Sequence, residues 1–293
     1  MAARDIENRF LGSLLGLALG DALGMPVGSM PVEETRRRYG EITGYLPRDA
    51  GTDREIPAGE ITDETETTLC IVESMTTNNG RVDVENINAR LLHLAEGASQ
   101  HWMPADLRDG IIAASDNDGV VPDDFERPAS LAAGMMGVPI GLMHSVGGFD
   151  RDAFDHDLQL ITRLTNASDG QYRLTAKIAS LIAGAIRDET LDAQGGEVIA
   201  VGTLEREVST VARDVASSST FEDAVFEAVN TYRPADSAGA LAGALAGVRF
   251  GASGIPQKLI DDLEARVYLT LAAPWFYKTA TRRAGLVIDL RPT

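Results

Sequence analysis

The stretch ITDETETTLCIVESM, residues 61–75, sets Thr62, Asp63, Glu64 and Glu66 directly ahead of a helical apolar run through Leu69, Val72 and Met75. Two chemistries fit that spacing. Asp63 followed three positions later by Glu66 has the form of a capping box, and acids in a first turn suit the helix dipole. Capping does not call for Thr62 and Glu64 as well, and a cluster of oxygen ligands would use all of them. A second acidic helix start lies far along the chain in YRPADSAGALAGALAG, where Pro234 sets a turn and Asp236 or Ser237 can serve as the N-cap. If the two starts converge, their carboxylates repel one another and need a cation or raised pKa values. Oxygen donors from Asp, Glu, Ser and Thr suit Mg²⁺, Mn²⁺ or Ca²⁺ better than zinc. Two carboxylates can also cleave a glycoside without metal, one as acid and the other as base or nucleophile.

Asp21 is a further oddity, an ionisable group inside the apolar stretch Leu11–Val27. A buried carboxylate there needs a partner, whether a neighbouring loop or a ligand. His93, His101, His144 and His156 have no metal-binding spacing, and no Walker A, GxGxxG or GxSxG pattern is present. His101 and Trp102 are read as surface or core packing. The single cysteine, Cys70, lies in an apolar run and is read as a small buried hydrophobe.

The elements that must position these residues are helical almost throughout, since the period of 3.6 recurs and strand alternation does not. Helices are predicted at 5–24, 63–76, 83–97, 105–115, 129–145, 152–165, 171–187, 204–217, 221–230, 236–251 and 256–270. Loops fall at Pro26–Gly59 and Asp116–Arg127, and no low-complexity linker divides the chain. The expectation is one all-α domain over residues 1–293. Two helices carry glycine at every fourth position: Gly12, Gly16, Gly20 and Gly24 in one, Gly239, Gly243, Gly247 and Gly251 in the other. Glycine in a helix costs about 1 kcal/mol relative to alanine, so such stripes predict a close approach by another backbone. The apolar segment LTLAAPWFYKTATRRAGLVIDL near the C-terminus could pack on the domain or on a partner.

Composition sets the outer bounds. With 44% apolar residues the chain can bury a core, and with 5% aromatics that core must be aliphatic. A net charge of −18 argues against unassisted binding to nucleic acid or anionic membranes. MAARDIENRF does not read as a secretory signal, and Leu11–Val27 falls short of the roughly 20 residues a membrane span needs. A cytoplasmic protein is expected.

Four segments in order resemble the ADP-ribosylglycohydrolase family: RFLGSLLGLALGDALGMPV (9–27), PAGEITDETETTLCIVESM (57–75), GVPIGLM (137–143) and ADSAGALAGALAGVRFG (235–251). The resemblance implies a compact all-α fold with a cleft in which Mg²⁺ or Mn²⁺, one or two ions, assists cleavage of a ribosyl N- or O-glycosidic bond. It implies Thr62, Asp63, Glu64, Asp236 and Ser237 as metal ligands, with Asp63 and Glu64 the catalytic carboxylates. It also implies substrate contacts at Asp21, Ser130, Gly134 and Asn166, and a small-molecule or ribosylated substrate as partner.

Several positions depart from the family pattern. Glu64 replaces an Asp, displacing its oxygens by about 1.5 Å, and Pro234 stands where an Asp ligand is expected. Gly28 replaces a Glu, Met136 an Arg, Ser130–Gly134 a Gly/Asn-rich phosphate loop, and Thr165–Asn166 a Thr-His pair. The departures fall on the pieces that hold metal and pyrophosphate, while the scaffold glycines stay. A metal-free two-carboxylate glycosidase and an inactive binding protein of the same fold are therefore the alternatives.

Overall fold

A computed structural model describes residues 3–188 and 202–286. Its α-helices are α1 (Ala3–Gly24), α2 (Val32–Tyr39), α3 (Asp63–Thr77), α4 (Val84–Glu96), α5 (Ala105–Ser115), α6 (Leu131–Gly134), α7 (Gly137–Met143) and α8 (Arg151–Thr162). They continue as α9 (Asp169–Ile186), α10 (Thr203–Ser217), α11 (Phe221–Thr231), α12 (Ala235–Phe250), α13 (Gln257–Asp261) and α14 (Arg266–Arg283). Among the described residues the sole β-type pairing is one antiparallel bridge, Arg48 to Ile56. The all-α expectation holds.

The centre of the fold is the antiparallel pair α1 and α12, and the glycine stripes explain it. A Cβ on Gly16 would lie 2.1 Å from the Gly243 carbonyl oxygen, and one on Gly20 would lie 1.8 Å from that of Gly239. A Cβ on Gly12 would come within 2.3 Å of the Gly247 oxygen. Each pair of glycines faces across the seam, so the two backbones touch with no side chain between them. Such proximity permits Cα–H···O contacts along the seam. Residues Ser237–Val248 of α12 are all buried, as expected for a helix apolar on every side. Helices α9, α10 and α11 cover α12, while α14 and α3 pack on α1.

Four helix starts owe their position to local caps. Asp83 accepts from Asn86 N at 3.0 Å, and Asp150 from Ala153 N at 3.1 Å. Ser168 accepts from Gln171 N at 3.3 Å, and Thr220 forms a reciprocal capping box with Asp223.

Three sequence expectations need correction. The predicted helix 129–145 divides into α6 and α7, because Pro139 has no N–H for the carbonyl four residues earlier. The predicted helix 256–270 stops at Asp261, and the chain turns so that Glu264 N meets the Gly59 carbonyl at 3.0 Å before α14 begins. Helix α2 sits inside the expected loop Pro26–Gly59. Its sequence VEETRRRY buries only Thr35, so it has no apolar period to read. It is held by the Glu34–Arg38 ion pair and by Arg233, whose guanidinium donates to Thr35 Oγ1 at 2.8 Å. The segment Asp5–Val27 also has the length and apolarity of a membrane span, contrary to the shorter stretch counted from sequence; 94% of it is buried within the protein.

Candidate active site

The α1–α12 register brings the end of one helix to the start of the other. Gly24 packs against Ala235, and Ala235 N donates to the Gly28 carbonyl at 2.9 Å. Gly28 leaves room that the Asp236 carboxylate fills, since a Cβ there would lie 2.3 Å from Asp236 Oδ2.

Asp21 reaches from α1 to the start of α3. Its carboxylate accepts from Thr62 N at 2.9 Å, Thr65 N at 3.3 Å, Thr65 Oγ1 at 2.5 Å and the Thr62 hydroxyl. It caps α3 from another helix, which corrects the local capping box expected from sequence. Thr62 is the N-cap residue but makes no cap bond of its own, because its hydroxyl proton goes to Asp21. Asp21 does not line the cleft, so its duty is to orient rather than touch a substrate. Burial pushes its carboxyl up to about 7, against the lowering effect of these hydrogen bonds.

The two acidic helix starts do converge. Ser237 Oγ donates to Glu64 Oε1 at 2.5 Å, and the other Glu64 oxygen lies 3.2 Å from Thr62 Oγ1. Asp63 is buried beside them, and its Oδ2 has no hydrogen-bond partner. Burial, then the neighbouring Asp21 and Asp236 charges, hold the Asp63 carboxyl well above its usual range. Glu64 is raised by burial and by Asp63, and Asp236 by burial, with Arg48 and Arg233 pulling the latter back. In α12 the N-cap is Pro234 rather than Asp236 or Ser237, and Asp236 Oδ1 accepts from Ser237 N at 2.8 Å.

These groups form the acidic wall of a cavity of about 380 Å³. Arg48 supplies its cation, while Trp102, Pro104 and Ala129–Ala132 form the opposite wall. Sequence reasoning missed Arg48, which sits in a loop of no recognisable motif, and assigned Trp102 to packing. The signal for Trp102 lay in Glu66: its carboxylate accepts from Ser99 Oγ at 2.7 Å and from the Trp102 indole N–H at 3.0 Å. Glu66 is thus a tether for the cavity wall and not a helix cap.

Of the remaining expected contacts, only Ser130 reaches the cavity, and its hydroxyl caps α6 by accepting from Ala133 N at 3.4 Å. Gly134 instead packs against Ile178 and Leu174. Asn166 clasps the chain behind the wall, donating to the Arg127 carbonyl at 3.0 Å and accepting from Ser168 N at 2.9 Å. Neither lines the cavity.

The donor set suits a hard divalent cation. Every candidate ligand is an oxygen, the Thr62 hydroxyl turns its lone pairs away from Asp21, and the unpartnered Asp63 Oδ2 calls for a proton or a cation. The set is not closed, since among the described residues no group of three His, Cys, Asp or Glu side chains is arranged to hold a metal ion. Pro234 offers no side-chain oxygen for a second ion.

A pH dependence follows for the cation-free protein. Carboxyls raised on folding stabilise it fully below their unfolded pKa of about 4, and that contribution is lost as pH rises through the folded value. For Asp21 that value is about 7. In chelator, the melting temperature should fall as pH goes from 5 to 8. A melting temperature that rises over this interval would contradict the buried carboxylate cluster.

The profile of the ADP-ribosylglycohydrolase family matches residues 2–217 and 197–285. The chain is 27% identical over 290 residues to the ADP-ribosyl-[dinitrogen reductase] glycohydrolase of Rhodospirillum rubrum, across 91% of this chain and 94% of that protein. It is 26% identical over 292 residues to the ADP-ribosylarginine hydrolase Tri1 of Pseudomonas putida, across 87% of this chain and 74% of the relative. A solved structure described as an ADP-ribosylglycohydrolase-related protein complex shares the fold at a TM-score of 0.74 and 22% identity, over 94% of this chain and 99% of that one. With a helical core of the same kind and a family profile that runs almost end to end, this chain belongs to the ADP-ribosylglycohydrolase family.

Proposed function

We propose that the cleft hydrolyses a ribosyl N- or O-glycosidic bond with the help of one divalent cation, Mg²⁺ or Mn²⁺. The observation that carries this reading is Asp63 Oδ2, buried and unpartnered among three other carboxyl groups in an oxygen-lined cavity. Thr62, Asp63, Glu64, Asp236 and Ser237 would hold the ion. A hard cation bound there supplies the positive charge that lets neighbouring carboxylates ionise together and polarises substrate oxygens.

The chain's own residues do the rest. Asp63 or Glu64 accepts a proton from the attacking water, a role that suits carboxyls whose pKa is raised towards neutrality. Arg48 is placed to meet an anionic substrate group opposite the acids. Trp102 offers a π face for a ring, held in place through its indole bond to Glu66. The relatives' names point to ADP-ribose on protein or on arginine. Ala129–Ala132 bring no side-chain donor to the opposite wall, which favours a substrate bound with fewer phosphate contacts than a full pyrophosphate.

Calorimetric titration with Mn²⁺ tests the reading directly. One ion per chain should bind, and Asp63→Ala should remove that binding while the circular dichroism spectrum is kept. Absence of binding by the unaltered protein would exclude a metal enzyme. Turnover of an ADP-ribosylated arginine substrate that is insensitive to chelator would then favour the metal-free two-carboxylate reading, which the missing oxygen at Pro234 already supports.

A further inference from the structure

Helix α14 turns an apolar face to solvent. Val267 and Leu271 are each 64% exposed, Trp275 59% and Tyr268 42%. The face opposite is the buried one, formed by Leu269, Ala273, Phe276, Tyr277 and Ala280. Two depressions of about 570 and 310 Å³ flank the exposed stripe, between α14 and helices α3 and α4. Leu271 lines both, so the stripe is a ridge between two grooves.

The order of residues along this ridge is close to a palindrome. Directly opposite the buried Ala273, the helical period places Glu264, Tyr268 and Leu271 on one side of the midpoint and Trp275, Lys278 and Arg282 on the other. An antiparallel copy laid on the ridge with its two-fold axis beside Ala273 matches each residue with a complement. Leu271 meets Trp275 of the second copy, Tyr268 meets Lys278, and Glu264 meets Arg282. An isologous contact requires this kind of self-complementarity, because every pairing must occur twice. Lys278 already stands 4.7 Å over the Trp275 ring within one chain, as a cation–π contact that a second aromatic side chain can extend.

Charge favours the same occupant. In a chain of net charge −18, α14 contains no acidic residue and carries Arg266, Lys278, Arg282 and Arg283. Its acids, Glu264 and Glu73, gather beside its N-terminal half. Two copies set antiparallel bring acidic and basic halves together, whereas a parallel arrangement or an anionic membrane would not. A membrane would also leave both grooves empty, while the Leu271 and Trp275 side chains of a second copy can enter them.

We infer that the exposed face of α14 is the contact of a two-fold homodimer, in which the two α14 helices cross antiparallel at Ala273. The site in the cleft plays no part in this inference.

Sedimentation velocity of the full chain between 1 and 100 μM at 0.15 M salt tests it. The unaltered chain should sediment as a dimer at the upper end. Leu271→Glu with Trp275→Glu should sediment as a monomer throughout, with an unchanged circular dichroism spectrum, since both side chains are exposed. Glu264→Arg alone should weaken association about tenfold, as should Arg282→Glu alone. The two reversals combined should restore association, because the swapped pair is again complementary. A chain that is monomeric at 100 μM would overturn the inference. So would a dimer indifferent to the Leu271 and Trp275 changes, charge reversals that do not rescue each other, or a monomer that binds phosphatidylserine vesicles through this face.

Discussion

Asp63→Asn should lower turnover of a ribosylated substrate by about a thousandfold while leaving the protein as stable as before or more so. The substitution keeps the shape of the side chain and removes a negative charge from a cluster that also contains Asp21, Glu64 and Asp236. Asp63 Oδ2 makes no hydrogen bond in the fold, so no structural bond is lost. An amide there gains the ability to donate towards neighbouring carboxylates, and the burial that raises the Asp63 pKa no longer opposes folding. In chelator, the melting temperature of the variant should therefore rise above that of the parent at pH 8, where the parent pays most for ionised carboxyls. The same variant should lose most of the melting-temperature increase that Mn²⁺ gives the parent. Opposed changes in activity and stability are the mark of a residue kept for chemistry at some cost to the fold. A variant that retained turnover, or that lost turnover only because it unfolded, would remove Asp63 from the catalytic role.

How far the sequence reached depended on what kind of physical signal each residue carries. The glycine stripes were fully informative, since a glycine every four residues has one packing consequence and α1 and α12 meet by it. The acidic helix starts were half informative. Their composition limits the chemistry to oxygen ligands and proton transfer, but that Ser237 would donate to Glu64 across 173 positions is a tertiary fact with no local trace. Glu66 misled because its spacing from Asp63 imitates a capping box, while the donor it serves, Trp102, stands in a distant loop. Asp21 did the capping from outside, and nothing in the α3 sequence itself announces that. Helix α2 escaped because the period of 3.6 is visible only where one face is apolar. Pro139, by contrast, was on the page as a reason to divide the helix around it, and the apolar run on both sides hid it.

The glycine seam also carries the second large expected effect. Gly20→Ala should destabilise the fold by about 3 kcal/mol, in a position where helix propensity alone would stabilise it by about 1. The added Cβ would lie 1.8 Å from the Gly239 carbonyl oxygen and 2.2 Å from its carbon. These are backbone atoms, so no side-chain rotation relieves the clash and the two helices must move apart. Gly170→Ala is the control. It is also helical, but its nearest neighbour would be the Ala129 Cβ at 3.8 Å, an ordinary contact, so it should stabilise by about 0.5–1 kcal/mol. Chemical denaturation of the two variants separates seam packing from intrinsic glycine effects, and equal signs for both would remove the seam as a stabilising contact. The consequence extends to the cleft because Gly20 is adjacent to Asp21, and Gly239 lies two residues after Ser237. Moving α12 away from α1 draws Ser237 from Glu64 and Asp236 from Gly28, while Asp21 keeps α3 tied to α1. A Gly20→Ala protein that still folds should therefore bind Mn²⁺ more weakly than the parent, although no residue of the acidic wall has been changed. Unaltered Mn²⁺ affinity in a folded Gly20→Ala variant would mean that the acidic wall assembles independently of the seam.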